Sequence, residues 1–400
     1  MKKINKLVPF ILMVTLLSAC GSSAESGVTL LVWEDESNIE TLKTLADEFV
    51  AYHKQTYPSE AAITITFESR EEGKAVSDLS TIAETGKGPD VVSITSDTMT
   101  AAVKSKLIAP AAFSADVDTF DAKARTNATY DDTVYAYPIT AESTVIMYDK
   151  RQVSDPTIFD SFAALKNSGK KIAWDASNDD CAYYMFGFLT DSVVFGDDGT
   201  DASKLDLATT QSVANLTSFL NDYSSSIESA SPQDAMALIN NKTVVGLVSS
   251  PFMLSSMIEN LGAANVGLHV LPTINDVAMR PFSGYKEYVV SSYSKHPSLA
   301  QEFADYMVSP DAQLWRLTKK NYLPTRSSDD LTKEIADNPY ASVYQASYDK
   351  SFAMPIIDSM GKYWSSMITA LQLLWANKGT VTSSEVKSQL TDVQTAMKAA

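Results

Sequence analysis

Val134-Tyr-Ala-Tyr-Pro-Ile-Thr-Ala-Glu-Ser-Thr-Val-Ile-Met-Tyr-Asp-Lys150 is two apolar, β-rich runs with a carboxylate between them. The first run is aromatic and β-branched, which favours a strand. Pro138 removes a backbone donor and is expected to end regular ladder pairing. Thr144 to Tyr148 is a second strand. A hairpin closed by a surface turn is one account of the pattern. A passage between two lobes is the other, with Glu142 facing the cleft, because a carboxylate flanked by apolar runs needs partners or water.

The rest of the chain repeats an α/β pattern around this passage. Val28 to Trp33 predicts a strand. Ser37 or Asn38 is placed to cap a helix that carries Ile39, Leu42, Leu45, Ala46, Phe49 and Val50 at helical spacing. Ile63, Ile65 and Phe67 alternate with polar residues, a half-buried strand. Strand, helix, strand predicts parallel pairing. Val91 to Ile94 is a short buried strand with Asp97 beyond its carboxyl end, where open α/β sheets bind ligands. Further strands are expected at Lys171–Trp174, Thr243–Val248 and Val266–Leu271. Phe282–Ser291 reads as a second passage between lobes and Leu323–Arg326 as a third. Two long helices close the chain, the last with Val386, Leu390, Val393 and Met397 on one face.

Length and charge narrow the class. Four hundred residues exceed one comfortable core, so two domains are expected. A formal net charge of -17 argues against nucleic acid or anionic lipid as the main partner. Lys2, Lys3 and Lys6 precede an apolar run, Leu7 to Leu17, too short for a comfortable membrane span. Leu17-Ser18-Ala19-Cys20 follows and resembles the bacterial lipoprotein signal. This implies cleavage after residue 19, a lipid on Cys20, and a small polar tether over residues 20–27. The one other cysteine, Cys181, has no intrachain disulfide partner and reads as a buried small side chain.

Motifs for catalysis are absent from the sequence. His53, His269 and His296 stand alone, and there is no HExxH, cysteine cluster, phosphate-cradling glycine loop or G-x-S-x-G elbow. Asp97 and Glu142 could form a glycosidase pair, although carboxylates that accept from sugar hydroxyls look the same in sequence. Strand ends and crossings carry Trp33, Asp97, Glu142, Tyr183, Tyr184, Phe252 and Trp364. Aromatic platforms with acceptor side chains suit sugar rings, which have apolar faces and polar rims.

Several motifs carry a resemblance over nearly all of the chain beyond the leader. They are Leu31-Val32-Trp33, Gly88-Pro89-Asp90-Val91-Val92 with Asp97, Ala136-Tyr137-Pro138-Ile139 with Glu142 and Tyr148, Asn241-Lys242, Ser250-Pro251-Phe252, Val270-Leu271-Pro272, and Met354-Pro355 with Tyr363-Trp364. With these the chain resembles the maltose/maltodextrin-binding proteins, extracellular solute-binding lipoproteins of ABC sugar importers. The resemblance implies an α/β, two-lobed, type II periplasmic-binding-protein-like fold: two discontinuous domains joined by a hinge. Lobe one is expected over 28–140 and 286–330, and lobe two over 141–284 and 336–400.

It also implies roles. Asp97 and Glu142 would accept from sugar hydroxyls, Tyr183 or Tyr184 and Trp364 would stack on rings, and Phe252 would replace a further stacking residue. Ser37 stands where the family has an acidic residue in the first strand-to-helix loop, with Asp35 and Glu36 adjacent, and Glu36 and Ser37 are taken as ligand contacts. Ile94 stands in place of a stacking tryptophan and Thr98 in place of an arginine, so the identity of the sugar stays open. The implied partners are an oligosaccharide, an ABC permease and, through the lipid, the outer face of the cytoplasmic membrane. The implied protein is a monomer without cofactor, metal or catalytic activity. Rival readings are another oligosaccharide, ferric ion on the Tyr183-Tyr184 pair, and a surface carbohydrate hydrolase.

Overall fold

The structure, a computed structural model, describes residues 27–113, 117–196, 199, 201 and 203–399. The leader, Cys20 and the tether up to residue 26 lie outside the described residues. Two mixed sheets organise the rest. We number their strands β1 (Val28–Glu34), β2 (Ile63–Ser69), β3 (Val91–Thr95), β4 (Ala136–Ser143), β5 (Val145–Asp149), β6 (Ile172–Ala173), β7 (Ile227–Glu228), β8 (Gly246–Ser249), β9 (Val266–His269), β10 (Phe282–Val290) and β11 (Phe352–Ala353). The first sheet runs β11-β10-β3-β1-β2, with β4 on β10. The second runs β7-β6-β8-β5-β9.

β1 pairs in parallel with β2 and β3, as strand-helix-strand order predicts. Its alternation directs Leu30 and Val32 into one core, with Phe49 and Phe303, and Trp33 into another, with Val76 and Leu79. The helix Glu36–Thr56 is capped by Asp35, whose side chain accepts from the Ser37 N–H, and not by Ser37 or Asn38. The second sheet packs on an aromatic cluster that includes Phe162, Trp174, Phe188 and Phe219. The two closing helices, Met360–Ala376 and Ser383–Lys398, bury their apolar stripes against the same cluster.

The passage between sheets differs from the expectation in one respect. β4 continues through Pro138 to Ser143, and the break falls at Thr144. Pro138 is accommodated by a register shift between Lys286 and Glu287 on the partner strand. Its carbonyl is taken instead by Gln313 Nε2 at 3.2 Å and Thr325 Oγ1 at 2.9 Å. β4 therefore belongs to the first sheet and β5, one residue later, to the second. The helix Ala341–Lys350 packs on both strands. Its Ser347 hydroxyl lies 2.9 Å from that of Ser143 and donates to the Thr144 carbonyl at 2.7 Å.

β10 returns the chain to the first sheet, where it pairs with β3 and β4. Leu323 bridges Ala141, and Arg326 bridges Phe120. Among the described residues, no helix is long and apolar enough to cross a membrane.

Candidate functional site

The carboxyl ends of β1 and β3 open onto a cleft whose other wall comes from the second sheet's helices. Its two arms enclose about 560 and 410 Å³ and share Gly73, Thr95, Glu142, Phe252 and Lys286 at a waist. That size suits a small ligand of a few rings.

Asp97, Glu142, Tyr183, Tyr184, Phe252 and Trp364 all line one arm, although they are spread over nearly 270 residues of chain. Asp97 is exposed in the short turn after β3. Glu142 lies near the end of β4, opposite Gly284, so no side chain stands across from it. Tyr183 and Tyr184 sit on the short helix Cys181–Met185 with their rings edge to face. Tyr183 is half-buried against Phe282. Tyr184 is only 4% exposed and packs mainly into the core. Phe252 is 42% exposed, a large apolar ring presented to solvent at the waist. Trp364 and Ile368, one helical turn apart, face the same arm.

Other expectations are corrected. Ser37 lines the second arm, but Glu36 does not. The helical period places Asp35, Asn38, Thr41 and Leu42 on the cleft side and turns Glu36 away. Trp33 is 1% exposed: strand alternation points it away from the cleft, where Nε1 donates to Glu68 at 3.2 Å and Arg70 stacks on the ring. Ile94, by contrast, is fully buried in its strand as expected and offers no platform.

The waist carries charges that sequence reading did not single out. Glu72 and Lys286 form an ion pair at 2.5 Å, and Ser93 Oγ donates to Glu72 at 2.7 Å. Glu34, 2% exposed, accepts from Tyr288 Oη at 2.6 Å and from Asn38 at 3.1 Å. Burial, reinforced by Glu72, pushes the Glu34 carboxyl up to about 7. Burial also raises Glu142, with Lys286 opposing. Burial works against the charge on Lys286, but Glu72 and Glu142 outweigh it and hold the ammonium above the usual lysine range. A run of charges alternating in sign along the sheet face would have been the signal. It was hidden because Glu34, Glu72 and Lys286 come from three distant segments.

Among the described residues, no group of three His, Cys, Asp or Glu side chains could hold a metal ion. Burial pushes the Tyr183 hydroxyl up to about 12. His269 lies in another pocket, 3.2 Å from Asp160. Cys181 is buried and its thiol is pushed up to about 12, so it is a poor nucleophile.

The sequence pattern of the bacterial extracellular solute-binding proteins matches residues 45–342. A galactooligosaccharide-binding protein of Bacillus subtilis (strain 168) is 24% identical over 90% of this chain and 90% of its own length. A maltooligosaccharide ABC transporter solute-binding lipoprotein of Streptococcus pneumoniae (strain ATCC BAA-255 / R6) is 23% identical over 87% and 86%. The solved structure of a maltodextrin-binding protein from L. casei, without ligand, superposes with a TM-score of 0.78. It covers 94% of this chain and 100% of that one at 16% identity, a likeness of two-lobed fold.

Proposed function

The chain belongs to the bacterial extracellular solute-binding proteins, and on that premise we propose that it captures a neutral oligosaccharide, foremost a maltooligosaccharide, and delivers it to an ABC permease. One observation carries the reading: aromatic side chains (half-buried Trp364 and Tyr183, exposed Phe252) and carboxylate acceptors (Asp97, Glu142) converge on one cleft between the two sheets. Aromatic faces cover the apolar side of a pyranose, and carboxylates accept from its hydroxyls. A cleft rich in carboxylates also repels uronic acids. The galactooligosaccharide-binding relative supports a galactooligosaccharide as the second candidate.

Capture is by hinge closure about Thr144 and Gly284, between lobe one (28–140 and 286–330) and lobe two (141–284 and 336–400). Contacts made only when both lobes engage shift the open–closed equilibrium. The monomeric protein performs no chemistry on the sugar, so Asp97 and Glu142 are acceptors and not a catalytic pair. Maltotriose at a hundred times its dissociation constant is expected to add about 2.7 kcal/mol to stability and to compact the protein in small-angle scattering. Absence of a thermal shift with every maltooligosaccharide and galactooligosaccharide tested would remove the sugar reading. Release of reducing ends by the pure protein would restore the hydrolase.

The leader directs lipidation of Cys20 and places the protein on the outer face of the cytoplasmic membrane. The Cys20→Ala precursor is expected to remain unprocessed and to lose its membrane-bound, acylated form. Acylated mature protein from that variant would refute the anchor.

A further inference from the structure

We infer that Lys286 is a positioning residue for ligand capture: seated at the waist between Glu72 and Glu142, it holds the Glu142 carboxylate in its charged, hydrogen-bond-accepting form. The inference rests on the role of Glu142 as a ligand acceptor.

The geometry is set by strand register. Lys286 pairs with Thr140, and Gly284 pairs with Glu142, so Lys286 and Glu142 are diagonal neighbours on one face of β10 and β4. Gly284 contributes no side chain, and nothing from β10 stands directly opposite the carboxylate. Glu72, at the start of the helix Glu72–Ile82, grips the ammonium at 2.5 Å and is itself fixed by Ser93. The ammonium is therefore anchored, not free to swing toward solvent.

The other groups that act on Glu142 cannot replace it. Glu72 repels it. Tyr183 and Tyr184 from the helix Cys181–Met185, Tyr322 from the return after the helix Pro310–Lys320, and Tyr344 from the helix Ala341–Lys350 are phenols that burial keeps protonated. Lys286 alone among these groups carries positive charge. Without it, a partly buried carboxylate beside Glu72 would take up a proton, and a protonated carboxyl is a poorer acceptor for a sugar hydroxyl.

The test reads Glu142 directly. In ligand-free protein carrying ¹³C-labelled glutamate, the Glu142 carboxyl signal is assigned by its loss in E142Q and titrated in each variant. K286M and K286Q are expected to move its midpoint to higher pH, K286R to leave it near the wild-type value, and E72Q to move it down. K286Q keeps a hydrogen bond to Glu72 should K286M fold poorly. Calorimetry with maltotriose from pH 5 to 8.5 gives the second readout. Affinity in K286Q is expected to fall by up to tenfold for each pH unit between the wild-type and variant midpoints, and to recover at high pH. An unchanged midpoint in both K286M and K286Q, with affinity parallel to wild type across pH, would overturn the inference. If the wild-type protein binds no maltooligosaccharide, the sugar reading fails, while the carboxyl titration still decides the role of Lys286.

Discussion

Tyr363→Ala is expected to cost roughly 3–5 kcal/mol of unfolding free energy. Trp364→Ala, one residue on, is expected to cost little stability and to weaken sugar binding by about 1–2 kcal/mol, roughly five- to thirty-fold. The two rings touch, with centroids 5.1 Å apart, but they serve different stripes of one helix. Tyr363, Met367, Ala370, Leu371 and Leu374 are buried together. The Tyr363 hydroxyl donates to the Ala182 carbonyl at 2.9 Å, and its ring meets Phe186 and Phe282 edge-on. Truncation there opens a cavity and strands a buried carbonyl. Trp364 and Ile368 form the neighbouring stripe and face the cleft, with one side of the indole leaning on Phe282. Urea unfolding without sugar and calorimetry with it separate the two roles. A large stability loss in Trp364→Ala with unchanged affinity would make this tryptophan a core residue.

The contrast shows what was legible in the sequence. Helical and strand periods gave the elements, because apolar side chains at fixed spacing have few places to go. The motif resemblance gave the family and the two-lobed fold, and both hold. Trp33 could not be placed by pattern alone: strand alternation needs a known register before it says which face a residue takes. The break at Thr144 was masked by Pro138, whose missing N–H is absorbed by a bulge in its own strand: Lys286 pairs with Thr140 and Glu287 with Pro138, which leaves Ile139 as the extra residue. The charged floor was least legible. Charged residues are expected at the surface, yet Glu34 and Glu72 are buried, and Lys286 is largely so. Only the folded sheet brings them within reach of one another.

That floor carries the second large effect. Glu34 is expected to make the protein less stable as pH rises from about 5 to 7.5. Its carboxyl is buried beside Glu72, and its folded-state value is raised from 4.5 to about 7. The unfolded chain releases this proton near 4.5, whereas the folded protein holds it to about 7. Between those values the folded state binds more protons, so the unfolding free energy falls as pH rises. The stabilisation is complete below 4.5 and is lost as pH climbs through 7. A gap of that width corresponds to ~3 kcal/mol. Glu34→Gln keeps an acceptor for Tyr288 and removes the titration. Other groups titrate in the same range, so the informative quantity is the difference in unfolding free energy between Glu34→Gln and wild type. That difference is expected to shift in favour of the variant by up to about 3 kcal/mol from pH 5 to pH 7.5. A constant difference across that window would mean that Glu34 is already ionised at pH 5, with Tyr288, Asn38 and Arg316 compensating fully for its burial.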